Sequence, residues 1–330
     1  MGGCTETDLT PISFWEFRRL ISYGELDGLI IAAAARSDFA KQVVQICKLY
    51  QIPNVGVLST QGIYWLNMYK IFVPYLESDI TEKCNLNCAG CCHFANFSVA
   101  EDFYPIENFR RDMSRIAQTC DVLEFHLLGG EPFTLKNLDE YLIVARQCFP
   151  KIRLVLVTNG TLIPTLPQKI LDALRGNRFE LYISLYPPTA KMLNKIEARL
   201  KENGIPYKIE RIVKSFEAQM TLNNGHNPAK TVARCRCGSG RSIRNGKIYK
   251  CPIDAAAYKF AAKFNIKSFS QPTGIDIYAP NFSSMIERLD NPVELCYWCA
   301  EDYRKIPWQP TNNPRLEDWF ADPDELKNFL

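Results

Sequence analysis

The sequence lacks the features that mark membrane, exported and nucleic-acid-binding proteins. No apolar run approaches the ~20 residues that a helix needs to span a bilayer. The net charge is only +3, from 39 Lys and Arg against 36 Asp and Glu, which is too balanced for a general nucleic-acid binder. The N-terminus has no basic segment followed by an apolar one, so no signal peptide is predicted. We expect a cytoplasmic protein with no membrane or nucleic-acid partner.

The N-terminal part of the chain also lacks a G-x-G-x-x-G phosphate-binding loop. Its apolar segments Leu29–Ala34 and Val55–Leu58 have strand length, and the pattern of Asp38–Tyr50 between them predicts a helix. This β-α-β pattern is typical of a Rossmann-like fragment. Because the phosphate loop is missing, we favour a docking or structural role over ligand binding. We predict that residues 1–72 form a small N-terminal appendage.

Cysteine is abundant. Thirteen cysteines in a chain without an export signal argue against a disulfide framework and favour metal or cluster ligation. Most of them fall into two groups, which are Cys84, Cys88, Cys91 and Cys92, and then Cys235, Cys237, Cys251, Cys296 and Cys299. We therefore expect two metal-containing sites.

Strand-like and helix-like segments alternate between residues 76 and 213. The strand candidates are Leu76–Thr81, Val122–Leu128, Ile152–Thr158, Phe179–Leu185 and Tyr207–Val213. Alternation at this spacing implies parallel strands joined by right-handed crossovers. We predict an α/β fold with a partial (β/α)6 TIM-like barrel over residues 73–228. Its functional site is expected at the carboxyl ends of the strands.

Polar and glycine-rich motifs occur where those strands end. The first strand is followed by Cys84-Asn85-Leu86-Asn87-Cys88-Ala89-Gly90-Cys91, and the next three end at Gly129-Gly130-Glu131-Pro132, Thr158-Asn159-Gly160 and Ile183-Ser184-Leu185. Three cysteines spaced C-x3-C-x2-C can hold three irons of a [4Fe–4S] cluster and leave the fourth iron open. A zinc site, with Cys92 or His93 as fourth ligand, is the alternative. Zinc, however, predicts none of the motifs at the other strand ends.

Together these motifs resemble those of the radical S-adenosylmethionine (SAM) superfamily, over roughly residues 76–215. The resemblance implies that Cys84, Cys88 and Cys91 ligate a [4Fe–4S] cluster whose open iron chelates SAM. It implies contacts to SAM from Gly129, Gly130, Glu131, Asn159 and Ser184. The implied chemistry is reductive cleavage of SAM to a 5′-deoxyadenosyl radical, which abstracts hydrogen from an unactivated C–H bond.

One position departs from the family pattern. The family usually carries an aromatic residue just before the third cysteine, where it packs on adenine. This chain has Gly90 at that position. We expect His93 or Phe94, just past the loop, to take over the contact.

The second cysteine group lies in the predicted third region, residues 229–330. Cys237-Gly238-Ser239-Gly240 precedes a hairpin signal at Asn245-Gly246, Cys251 ends the hairpin, and Cys296-Tyr297-Trp298-Cys299 follows. This order resembles the SPASM and twitch extensions of radical SAM enzymes. It implies an auxiliary [4Fe–4S] cluster on Cys237, Cys251, Cys296 and Cys299. Cys235 is the rival for the first ligand, and zinc is the alternative metal.

Basic residues are concentrated around the same hairpin, with no acidic residue among them. They are Arg234, Arg236, Arg241, Arg244, Lys247 and Lys250. Three interpretations stay open: a solvated hairpin face, compensation of cluster charge, or attraction of a phosphorylated or nucleotide-linked substrate. The region is expected to close with a short helix over Leu316–Leu330, anchored by Trp319 and Phe320.

The resemblance implies a radical SAM oxidoreductase-type enzyme with a carbohydrate-like small-molecule substrate, which it oxidises or rearranges. A protein such as flavodoxin or ferredoxin is the expected reductant. A radical SAM peptide maturase is the competing enzyme, and a zinc-binding scaffold is the alternative that is not an enzyme. The sequence assigns no catalytic side chain.

Overall fold

The computed structural model describes residues 10–33, 37–97, 103–222, 225–235, 241–266 and 274–328. The chain divides into two compact units, Met1–Phe72 and Val73–Leu330. None of the helices in the described ranges is long and apolar enough to cross a membrane.

In its described residues, the first unit has a small sheet and two helices. Its elements are α1 (Phe14–Tyr23), β1 (Gly28–Ile31), α2 (Asp38–Leu49), β2 (Asn54–Ser59) and β3 (Gly62–Trp65). β1 pairs in parallel with β2, and β2 pairs antiparallel with β3. Ser13 and Ser37 cap α1 and α2, each accepting a backbone N–H in the first turn. The β-α-β pattern expected from the sequence is therefore present, extended by a hairpin.

The second unit is organised around an eight-stranded sheet. Its strands and helices are β4 (Ile71–Thr81), α3 (Ile106–Thr119), β5 (Cys120–Gly129), α4 (Leu138–Cys148), β6 (Arg153–Thr158), α5 (Gln168–Gly176), β7 (Phe179–Ile183), α6 (Pro187–Ala190), α7 (Leu193–Glu202), β8 (Tyr207–Ile209), β9 (Ser215–Met220), α8 (Pro228–Arg234), β10 (Ser242–Arg244), β11 (Lys247–Tyr249), α9 (Pro252–Phe264), β12 (Ile275–Asp276), α10 (Phe282–Met285) and β13 (Cys299–Pro307). Short 3-10 helices lie at Ala95–Phe97, Pro132–Thr134, Ile163–Thr165, Ile286–Asp290, Glu294–Trp298, Leu316–Asp318 and Pro323–Asn328.

The strand order in this sheet is β12-β11-β10-β4-β5-β6-β7-β8. The pairs from β5 to β8 are parallel, and β10 joins β4 in parallel while pairing antiparallel with β11. This mixed α/β fold with a largely parallel central sheet confirms the predicted class. Within the described ranges the βα repeat contributes five strands, β4 to β8, against the six predicted. The chain then leaves the sheet, because β9 pairs with β13 in a separate two-stranded ribbon.

Alternation along β5 separates the two faces of the sheet. Phe125 packs against Phe109 of α3, with ring centroids 6.4 Å apart, and Leu127 shares that buried face. Glu124 and His126 point to the opposite face, which collects polar side chains. The helices thus cover one face of the sheet. Functional side chains are expected at the strand ends and on the other face.

The C-terminal residues share an aromatic core with the segment that follows the cysteine loop. Phe94, Phe260, Trp319 and Phe320 are all buried in one cluster, and the Phe94 and Trp319 rings stack at 6.2 Å. Where one C-terminal helix was predicted, the structure has two 3-10 helices. Pro323 contributes to the break, because it disfavours helical backbone at Asp322.

The predicted boundary between residues 228 and 229 stays a prediction. The eight-stranded sheet runs across it, since β10, β11 and β12 extend the edge that β4 begins. The core region and the cysteine-rich C-terminal region therefore share a sheet as well as an aromatic core.

Candidate functional site

A cavity of about 530 Å³ lies at the carboxyl ends of β5, β6 and β7. This is the edge at which parallel α/β sheets bind ligands, and the volume suits a small molecule. The cavity gathers most of the residues predicted from the sequence, namely Cys84, Cys88, Cys91, Gly129, Gly130, Asn159 and Ser184. Strand ends supply the glycines and polar side chains, and the loop after β4 supplies the thiols.

The cysteine loop forms one wall of the cavity. Burial raises the pKa of the Cys88 thiol to about 12 and raises the pKa values of Cys84 and Cys91 as well. Ligation of a metal would have to displace these protons. Asn159 Nδ2 lies 4.0 Å from Cys84 Sγ and donates to Asn85 Oδ1 at 2.8 Å. Within the described residues, no three His, Cys, Asp or Glu side chains converge to hold a single metal ion.

The structure explains why position 90 is a glycine and not an aromatic residue. Its φ is +72°, and a Cβ there would lie 2.4 Å from Ile306 Cδ1 and 2.8 Å from the Asp318 carbonyl oxygen. The end of β13 and the 3-10 helix at Leu316–Asp318 occupy the space that an aromatic side chain would need. The departure from the family pattern therefore follows from how the C-terminal region packs on the loop.

The two residues expected to replace that aromatic have different environments. Phe94 is fully buried in the aromatic core and is not part of the cavity wall, whereas His93 lines the cavity. His93 Nδ1 lies 3.1 Å from the Asp79 carboxylate. Burial opposes the charged imidazole, but the Asp79 charge raises the pKa of His93 well above its ordinary value. Tyr186, just past β7, also lines the cavity and was not foreseen.

The glycine pair allows close backbone packing. A Cβ at Gly129 would lie 2.1 Å from the Thr81 carbonyl oxygen, and one at Gly130 would lie 2.2 Å from that of Lys83. Gly130 N donates to Thr81 O at 2.8 Å. The turn after β5 therefore lies directly against the segment that enters the cysteine loop.

The Glu131 carboxylate faces inward. It is fully buried and accepts hydrogen bonds from Phe133 N, Thr158 Oγ1 and Asn159 N, at 3.1, 2.7 and 2.8 Å. Burial raises the pKa of Glu131 to about 7, although the three donors favour the charged form. The side chain thus ties the end of β5 to the end of β6. Its predicted contact with SAM stays a prediction, since Gly129 and Gly130, not Glu131, form the cavity wall.

The wall that sequence reasoning missed is the ribbon of β9 and β13. Its polar side chains alternate with buried ones, so that one face meets the cavity. The cavity-facing residues are Ser215, Glu217, Gln219, Tyr303 and Lys305, with Phe216 beside them. Glu217 stands directly opposite Lys305 in the strand register. Alternation in Ser215–Met220 was a usable signal, but its partner strand, Cys299–Pro307, is remote in the sequence.

Two tryptophans that follow β13 in the sequence contact the cysteine loop. Trp308 Nε1 donates to Cys88 Sγ at 3.1 Å, and Trp319 Nε1 donates to the Cys91 carbonyl oxygen at 2.9 Å. No local pattern around either tryptophan could have predicted these contacts.

The second cysteine group also comes together. Cys235, Cys251, Cys296 and Cys299 line a cavity of about 20 Å³ together with Lys250. Burial raises the pKa values of Cys251 and Cys299. Cys237, the ligand predicted from the sequence, lies outside the described residues.

Three of the basic residues around the hairpin are buried. Arg241, Arg244 and Lys250 are each at most 6% exposed. Arg241 pairs with Asp290, Arg244 pairs with Glu82, and Lys250 Nζ donates to the Leu289 carbonyl oxygen at 2.7 Å. For these three residues, the interpretation as a solvated face is wrong, because their charges are satisfied inside the protein.

Comparison with known proteins assigns the core. Residues 78–218 match the family model described as the radical SAM superfamily. These residues form a radical SAM domain. The match confirms the predicted superfamily for these residues, and with it the [4Fe–4S] cluster and SAM as the cofactors of such a domain. The cysteines that line the cavity fit such a cluster, since thiolates are its usual ligands.

Several curated relatives match part of this chain. The GTP 3′,8-cyclase of Helicobacter pylori is 29% identical over 154 residues, which cover 43% of this chain and 47% of the relative. That of a Sulfurovum species is 33% identical over 103 residues, or 31% of each chain. The chain thus spans about half or less of the length of these relatives. A solved structure of BtrN in complex with AdoMet and 2-DOIA aligns with a TM-score of 0.41 and 18% identity, covering 70% of this chain and 93% of that one.

Substitution of Gly90 tests the packing of the cysteine loop. We expect Gly90→Ala to lower the free energy of unfolding by about 1–3 kcal/mol and to reduce cluster content, because the new Cβ meets Ile306 and the Asp318 backbone. Gly204→Ala is the matched control, since Gly204 also has a positive φ, of +63°, and a Cβ there has no atom within 4 Å. Urea unfolding and iron content measure both effects. Equal stability of Gly90→Ala and wild type would contradict the packing argument.

Proposed function

We propose that this chain cleaves SAM reductively and removes hydrogen from a small, polar, carbohydrate-like molecule. The observation that carries the proposal is the cavity itself. The cysteine loop and the strand-end residues Gly129, Gly130, Asn159 and Ser184 form one side, and the polar ribbon forms another. When bound, the cluster and SAM supply a 5′-deoxyadenosyl radical for hydrogen abstraction. The residues of the chain orient the molecules and exclude water.

The composition of the ribbon supports a polar substrate. Ser215, Gln219 and Tyr303 offer hydroxyl and amide groups, and Glu217 and Lys305 add one charge of each sign. Alternating donors and acceptors suit a polyhydroxylated molecule, with or without an amino group. We assign oxidation or rearrangement of such a molecule as the reaction.

A nucleotide is the second candidate, because the curated relatives are GTP 3′,8-cyclases. A triphosphate is normally held by several cationic side chains. Among the described residues that line the cavity, Lys305 and His93 are the ones that can carry positive charge. Arg241, Arg244 and Lys250 are engaged in the interior instead. This distribution of charge favours a carbohydrate-like substrate over a nucleoside triphosphate.

We also propose an auxiliary [4Fe–4S] cluster on Cys235, Cys251, Cys296 and Cys299. The four thiols line one small cavity, which supports a shared ligand set. Gln219 and Tyr303 line both this cavity and the larger one. A substrate in the larger cavity would therefore lie next to the auxiliary cysteines, which suits transfer of its second electron. A small electron-transfer protein such as flavodoxin or ferredoxin is the proposed reductant.

Cysteine variants test the proposed reaction. The anaerobically purified protein, given SAM and reductant, is expected to form 5′-deoxyadenosine. Cys84→Ala should abolish that product, and Cys296→Ala should keep some SAM cleavage while ending substrate turnover. Cys148→Ala is the control, because Cys148 lies outside both cysteine groups. A protein that contains zinc in place of iron and forms no 5′-deoxyadenosine would refute the proposal and support a zinc-binding scaffold.

Iron content distinguishes Cys235 from Cys237. Two [4Fe–4S] clusters give about eight irons per chain, and loss of one leaves about four. Cys235 lines the cavity with the other three thiols. The iron content of Cys235→Ala should therefore fall to about four per chain, whereas that of Cys237→Ala should stay at about eight. The reverse result would show that Cys237 is the ligand.

Glu217 tests the ribbon as a substrate-binding wall. We expect Glu217→Ala to lower kcat/KM about tenfold, since a hydrogen bond to a charged group contributes about 1.5 kcal/mol or more. SAM cleavage without substrate should be unchanged. Deuterium transfer into 5′-deoxyadenosine, measured against deuterated sugars, aminosugars, nucleotides and peptides, identifies the substrate. Glu210→Ala, an exposed position just past β8, is the control. Transfer from a peptide or a nucleotide alone would refute the carbohydrate assignment.

A further inference from the structure

One hydrogen bond reaches directly to a sulfur of the cysteine loop. The indole Nε1 of Trp308 donates to Cys88 Sγ at 3.1 Å, across a separation of 220 residues along the chain. Cys88 is 7% exposed and the bond is partly buried, so its surroundings are less polar than water. An N–H donor has a stronger electrostatic effect there than in water.

The position of the indole is fixed by its neighbours. The Trp308 backbone N–H donates to Lys214 O at 3.0 Å, and the ring packs against Tyr186 with centroids 5.6 Å apart. Trp308 is thus held at its backbone and at its ring. The donor is therefore already in place when a ligand sulfur takes up negative charge.

The segment after Trp308 also holds the loop itself. Ala89 N donates to Gln309 O at 2.9 Å, and Thr311 N donates to Asn87 O at 2.8 Å. These two bonds flank Cys88 and pair the loop with the C-terminal segment as two short strands would pair. The Trp308 N–H and the Cys88 sulfur consequently keep a fixed separation.

We propose that Trp308 raises the midpoint potential of the cluster on Cys84, Cys88 and Cys91 through this N–H···S hydrogen bond. Reduction by an external one-electron donor adds negative charge to the cluster and its sulfurs. A donor aimed at a ligand sulfur stabilises the reduced form more than the oxidised form. Trp308 is in this sense a positioning residue that makes the cluster easier to reduce. The inference rests on the proposed function, because it requires these three cysteines to hold the cluster.

The chain supplies a matched control for this effect. Trp319 also donates its indole N–H to the cysteine loop, at 2.9 Å, but its acceptor is the Cys91 carbonyl oxygen. Replacing Trp319 by Phe removes an indole N–H that donates to the same loop. The Trp308 N–H···S bond stays intact in that variant. A general loosening of the loop would affect both variants, whereas a specific electrostatic effect would affect only Trp308→Phe.

The experiment is a redox titration of the whole chain with its clusters loaded, monitored by electron paramagnetic resonance. The signal that changes when SAM is added identifies the cluster in question. We expect a lower midpoint potential in Trp308→Phe than in wild type, and an unchanged potential in Trp319→Phe. With a reductant whose potential is close to the midpoint potential of the wild-type cluster, Trp308→Phe should also form less 5′-deoxyadenosine than wild type. A stronger reductant should restore the formation of 5′-deoxyadenosine.

A midpoint potential does not depend on the fraction of protein that carries the cluster, so partial loading leaves the comparison valid. If Trp308→Phe loads no cluster, a benzothiophene analogue of tryptophan at position 308 keeps the ring shape without the N–H. Equal potentials in wild type and the variant without the donor, or equal shifts in both tryptophan variants, would overturn the inference. Absence of any cluster that responds to SAM in the wild-type protein would instead refute the proposed function.

Discussion

The cysteine loop is held between two backbone contacts, and the site depends on both. On one side Gly129 and Gly130 let the turn after β5 lie against Thr81 and Lys83, where any side chain would collide with backbone. On the other side Gly90 admits the end of β13 and the Asp318 backbone. Three glycines therefore set how closely the loop, the strand ends and the C-terminal region approach one another. Such tightness fixes the thiols with little freedom to rearrange.

The sequence was sufficient for features that depend on local periodicity. The strands of the βα repeat and the motifs at their ends follow from alternation and from the rule that chemistry lies at the carboxyl edge. The ribbon of β9 and β13 and the indole contacts of Trp308 were not predictable, because they join segments far apart in the chain. Gly90 shows the difference well. Its oddity was visible in the sequence, but its cause lies near the other end of the chain, at Ile306 and Asp318.

The basic residues of the hairpin illustrate how burial changes the meaning of a charge. Arg244 and Lys259 both pair with Glu82, and the side chains of the two cations are buried. Buried ion pairs contribute little net stability, since desolvation offsets their attraction. Removing one partner would nevertheless be costly. The group is better understood as a constraint that fixes β10 and α9 against the end of β4, beside the entry to the cysteine loop.

The link between Trp308 and Cys88 also has a consequence for biosynthesis. The ribosome completes the cysteine loop long before the residues that cover it, because 220 positions separate donor and acceptor. During that interval the residues that cover the thiols have not yet been synthesised. The loop is therefore made early and covered only after residues 306–320 have been synthesised.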